Sequence, residues 1–114
     1  MTKKPGSDKI YVAHILDEIA RIERFAAQEA GEMQDWAVTR SLEIIGEASN
    51  NVSDILRLRH PDIPWRDVVD IRNALIHGYF GVSYERVWNV VRGDLPMLKK
   101  QLELLIKELD KPCP

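Results

Sequence analysis

The chain has 114 residues, 45% of them hydrophobic and 30% charged, with a formal net charge of −2 and a pI of about 5.9. Such a composition belongs to a chain that folds around one core, and it excludes a protein that grips nucleic acid over a broad basic surface. Apolar runs fall far short of the roughly 20 residues of a membrane span, and MTKKPGSDKI has no apolar stretch behind its lysines, so no signal peptide is expected and the address reads as cytoplasmic.

Ser7 is placed to cap a first helix, in which Ile15, Ile19, Ile22 and Ala26 recur at helical spacing and which should run to about Glu29. Gly31 marks a turn. From about Glu32 the series Val38, Leu42, Ile45, Ser49, Val52 and Leu56 predicts a second helix of six turns, about 36 Å long. His60-Pro61-Asp62-Ile63-Pro64 interrupts the pattern, because the prolines remove donors and bias their predecessors away from helix. Pro64 suits the first turn of a third helix carrying Trp65, Val68, Val69, Arg72, Leu75 and Ile76, which should close near His77 or Gly78.

Ser83 is a second capping residue, opening a fourth helix with Val87, Trp88 and Val91 on its inner side. Pro96 should kink or restart it before Leu98, Leu102, Leu105 and Leu109. With short loops and nothing that reads as a strand, the expected architecture is all-α: an antiparallel four- to five-helix bundle, one domain over residues 1–114 with flexible ends at 1–7 and 111–114. Ile44, Ala48 and Ile55 widen the apolar stripe of the second helix onto another face, which either a second copy of the chain or the first and fourth helices would cover. Trp65 and Trp88 fall on apolar stripes and read as core. The lone cysteine, Cys113, sits in a terminal Pro-Cys-Pro and is assigned no role.

The polar residues concentrate in RNALIHGYFGV, residues 72–82. Asn73 and His77 are four apart and share a helical face, whereas Arg72 and His77 are five apart and diverge by about 140°. For Arg72 and His77 to act together, either the helix unwinds before His77 or two chains pool their residues. Histidine moves protons near neutral pH and arginine grips phosphate with a planar fork, a pairing that suits cleavage of RNA without a metal. The bland reading is that His77 meets the helix dipole while Arg72 pairs with Asp70 or Glu47. Arg57, Arg59, His60, Arg66 and Arg72 are the best local basic cluster. No paired metal ligands, glycine-rich phosphate loop or partnered nucleophilic serine is present, so no cofactor is expected.

Arg72-Asn73, three residues, then His77-Gly78-Tyr79 resembles the R-x4-H-x-Y signature of the HepT-like toxins, a branch of the HEPN ribonuclease superfamily. The resemblance continues in Arg40-Ser41-Leu42-Glu43-Ile44-Ile45-Gly46-Glu47-Ala48, in Ile63-Pro64-Trp65, and in Val87-Trp88 with Asp94-Leu95-Pro96, covering roughly residues 10–110 in order. It implies a helical bundle that dimerises with the R-x4-H segments of both chains at one cleft, and a toxin of a toxin–antitoxin system that cleaves RNA, tRNA or messenger, without a metal. It further implies Arg72 and His77 as catalytic residues, and Tyr79 as the hydroxyl that an MntA-type minimal nucleotidyltransferase antitoxin modifies with AMP. Asn73 would orient the imidazole or contact phosphate, and Glu47 would support Arg72. Tyr84 lies outside the signature, so Tyr79 is preferred as the acceptor. The alternative is a non-catalytic helical partner and acceptor of the nucleotidyltransferase, which the acidic pI favours.

Overall fold

The computed structural model describes residues 5–77 and 83–111. Six α-helices follow one another: α1 (Asp8–Ala26), α2 (Glu32–Asn50), α3 (Asp54–Arg59), α4 (Trp65–His77), α5 (Tyr84–Asn89) and α6 (Leu95–Asp110). A 3-10 turn, Pro5–Ser7, precedes α1, and a π-helical turn, Val90–Asp94, joins α5 to α6. Among the described residues there is no strand, as the all-α expectation required, and no helix is long and apolar enough to cross a membrane.

The core is built where the apolar stripes meet. Helix α1 packs on α2 and on α6, and α2 in turn carries α4 on its other side. Val12, Ile15, Ile19 and Ile22 from α1 are buried against Val38, Leu42 and Ile45 from α2 and Leu98, Leu102 and Leu105 from α6. Trp65 joins this core and donates its Nε1–H to the His60 carbonyl at 3.1 Å, while the half-buried Trp88 donates to Asp35 Oδ1 at 2.8 Å. Helix α4 is thinly covered: Trp65 is its one buried residue, and Ile71 to Leu75 are half-buried.

Two boundaries and one cap differ from the sequence reading. Helix α1 stops at Ala26 rather than about Glu29, and Ser7 makes no side-chain cap, because the 3-10 turn leads directly into the helix. The second helix does not reach Leu56. It ends at Asn50, and Ser53 opens α3 by accepting a hydrogen bond from the Leu56 N–H at 3.2 Å. Asp8, 3% exposed, fixes this break by accepting from the Ser53 N–H at 2.8 Å and the Ser53 hydroxyl at 2.6 Å. The helix is therefore about 28 Å long.

Pro96 restarts the last helix from its first turn, and the widening lies just before it. Proline has no N–H to donate and its ring collides with the carbonyl four residues back. The chain accommodates this with the π turn, in which the Leu95 N–H reaches the Val90 carbonyl. Cys113 lies outside the described residues.

Candidate functional site

Helices α2 and α4 cross with almost no space between their backbones at Gly46. A Cβ there would sit 2.9 Å from Arg72 Cγ, nearer still to Arg72 Cβ, and 3.1 Å from the Val68 carbonyl oxygen. The absent side chain thus lets α4 approach, and the residue pressed onto the gap is Arg72. Next along α2, Glu47 reaches up to it.

The Arg72 guanidinium is consequently held at two of its nitrogens. Nη2 pairs with Glu47 Oε2 at 2.6 Å, and Nη1 donates to Asn73 Oδ1 at 2.8 Å. Nε is buried with no hydrogen-bond partner among the described residues. The Arg72 side chain is 24% exposed and that of Glu47 53%, so the pair sits at a solvent boundary. Exposed ion pairs contribute about 0–1 kcal/mol. A phosphate can compete for this fork without a large cost.

Arg72 opens onto a groove of about 600 Å³ between α1, α2 and α4. Three arginines line it, each paired with a carboxylate: Arg72 with Glu47, Arg40 with Glu43 at 3.1 Å, and Arg21 with Glu18 at 2.9 Å. With Asp17, four carboxylates face three guanidiniums. The groove follows α4 as far as Ile76, one residue short of His77.

The structure brings Arg72, Asn73 and Glu47 together. His77 is exposed as the last residue of α4, which stays helical to that point. The helix does not unwind between Arg72 and His77, so within one chain the two point about 140° apart. Asn73 spends its carbonyl oxygen on Arg72. Gly78 and Tyr79 lie outside the described residues.

The basic cluster read from the sequence is divided among other contacts. Arg57 turns inward and donates to the Ser49 carbonyl at 2.7 Å, His60 faces Glu108 at 3.4 Å, and neither lines the groove with Arg72. Sequence reasoning missed the α1 side of the groove, where His14, Glu18 and Arg21 lie. Their spacing, four and then three, is a polar stripe alongside the apolar one and was the available signal. Among the described residues no group of three or more His, Cys, Asp or Glu is placed to hold a metal ion.

Residues 12–105 match the family model described as Ribonuclease HepT-like. A protein of Thermococcus cleftensis named "Probable ribonuclease HepT" is 41% identical over 107 residues, covering 89% of this chain and 97% of that one. A protein of Methanocaldococcus jannaschii that carries an RNase name is 45% identical over 74 residues, covering 65% of this chain and 68% of its own. Another, from Caldanaerobacter subterraneus subsp. tengcongensis and also named as an RNase, is 38% identical over 105 residues, covering 86% and 94%. No solved structure gives a significant match.

Proposed function

The chain belongs to the HepT-like ribonuclease family, and from that premise we propose that it cleaves RNA without a metal ion, as the toxin of a toxin–antitoxin pair. The observation that carries this reading is the Arg72 fork, fixed on the Gly46 crossing and open to a groove that runs toward His77. In the proposed reaction His77 takes the proton from a ribose 2′-hydroxyl, which attacks the adjacent phosphorus. Arg72 leaves or shares Glu47 to stabilise the dianionic phosphorane. Asn73 and Glu47 hold the guanidinium in plane until the phosphate arrives.

Because α4 points Arg72 and His77 apart, the working site takes Arg72 from one chain and His77 from a second, in a homodimer. The half-buried Ile44 and the exposed Ile76 on the groove support such a contact. Tyr79 follows His77 by two residues, so AMP attached to its hydroxyl by an MntA-type nucleotidyltransferase would bring bulk and negative charge to the same cleft and repel a polyanion. The setting is cytoplasmic.

The excess of carboxylates on the groove favours a second reading, in which the chain is a non-catalytic partner and acceptor of the nucleotidyltransferase. Expression in a bacterial host separates the two. Growth arrest that disappears with His77→Ala, and that co-expression of the nucleotidyltransferase relieves together with a mass gain on Tyr79, supports the toxin. Unimpaired growth with abundant, unmodified, folded protein would leave only the binding partner.

A further inference from the structure

Transfer of a phosphoryl group to the 2′-oxygen needs two proton movements, and in a site that takes Arg72 from one chain and a single His77 from the other, that pair accounts for one. Resting on the ribonuclease reading above, we propose that His14 is the second proton-transfer residue, the acid that protonates the departing 5′-oxygen.

His14 lies on α1 and lines the same groove as Arg72. It is the one imidazole on that groove, whereas His77 adjoins its end and His60 lies elsewhere, against Glu108. Its backbone is firmly placed: Val12 and Ile15 on either side are 0% exposed, so α1 cannot shift at this point without opening the core. The imidazole itself is exposed and stands edge-on to Tyr11, with ring centroids 6.4 Å apart. It can exchange its proton with water between turnovers.

A second feature lies one turn along the same helix, a buried carboxylate oxygen with no hydrogen-bond partner among the described residues. It is Oε2 of Glu18, a residue 7% exposed whose Oε1 is held by Arg21. Residues four apart on a helix are neighbours. In the proposed reaction the ring turns toward Glu18, whose Oε2 accepts one imidazole N–H and leaves the other nitrogen for the substrate. Glu18 acts here as a positioning residue.

The other charged groups that share the groove are Asp17 and Arg21 on α1, and Arg40, Glu43 and Glu47 on α2. Arg72 lines the same groove from α4. Of these side-chain types only imidazole gains and loses a proton near neutrality.

The step balances without a further reactant. His77 removes the 2′-hydroxyl proton, the 2′-oxygen to phosphorus bond forms, and the phosphorus to 5′-oxygen bond breaks. The electron pair left on that oxygen takes the proton of the His14 imidazolium. The products are a 2′,3′-cyclic phosphate and a free 5′-hydroxyl, with His77 left as the imidazolium and His14 as the neutral imidazole, a state that proton exchange with water resets.

A sulfur leaving group tests this directly, because a thiolate departs without protonation. A synthetic RNA spanning a cleavage position mapped on total RNA is prepared with either oxygen or sulfur at the bridging 5′ position. On the oxygen substrate His14→Gln should lower the rate about 10²-fold or more, the usual worth of a positioned acid. On the sulfur substrate it should return to near the wild-type rate, while His77→Ala stays slow on both. Glu18→Gln should move the limb of the pH–rate profile that His14→Gln abolishes. Wild-type rates for His14→Gln on the oxygen substrate, with His77→Ala inactive, would overturn the role of His14 and leave the ribonuclease reading intact. Equal losses on both substrates would also overturn it, since a folding or binding defect is not relieved by sulfur. A wild-type protein that cleaves neither substrate would overturn both.

Discussion

Gly46→Ala should destabilise the protein and silence it, although on an isolated helix the same change stabilises. Alanine is favoured over glycine in a helix interior by about 1 kcal/mol. Against this, the new methyl carbon would lie 2.9 Å from Arg72 Cγ, closer again to Arg72 Cβ, and 3.1 Å from the Val68 carbonyl oxygen. Carbon atoms pack at roughly 3.5–4.0 Å. Arg72 Cβ and the Val68 carbonyl belong to or adjoin the α4 backbone, so no rotamer change relieves the clash. The helix must retreat by about 1 Å or more.

Overpacking of this kind costs about 3 kcal/mol at the upper end of the usual range, so the net loss should be about 2 kcal/mol after the gain in helix propensity. For a chain of this size that corresponds to a fall in Tm of roughly 8 °C. The same displacement moves the Arg72 fork, and a shift of about 1 Å at a reacting group can cost on the order of 10²-fold in rate. Urea unfolding at a fixed protein concentration, beside cleavage of total RNA, measures both. A variant as stable as wild type, or more stable, would refute the close crossing of α2 and α4.

Asp8→Ala removes the acceptor for two buried donors of Ser53; it should cost about 2–3 kcal/mol, read as a lowered urea midpoint with an unchanged slope. Arg72→Lys keeps the charge but loses the fork that holds Glu47 and Asn73 at once. Stability should change by less than about 1 kcal/mol while RNA cleavage falls, and a coupled loss of both would point to a structural role alone. Trp88→Phe deletes the bond to Asp35 and should cost about 1 kcal/mol in thermal unfolding with cleavage unaltered.

What the sequence made legible was whatever depends on local pattern. The α1 stripe of Ile15, Ile19 and Ile22, the proline break before Trp65 and the Ser83 cap are all decided by residues within a few positions of one another. The end of α2 was not legible, because the carboxylate that holds Ser53 comes from Asp8, 45 residues earlier. The pairing of Arg72 with Glu47 could be suggested from charge. Its cause, a glycine that brings two helices together, appears only when α2 and α4 are placed in space. His14 was passed over for the same reason: alone on α1 it has no chemistry, and the groove that gives it one is assembled from three helices.

Metal-independent cleavage by Arg72 and His77 is tested most directly by incubating total RNA with the purified protein in EDTA, after intact mass has established that Tyr79 is unmodified, with fragment ends identified. Discrete fragments ending in 2′,3′-cyclic phosphate are expected, absent with His77→Ala and with Arg72→Ala. Intact RNA beside a folded, unmodified protein, or cleavage that survives both substitutions, would contradict that expectation.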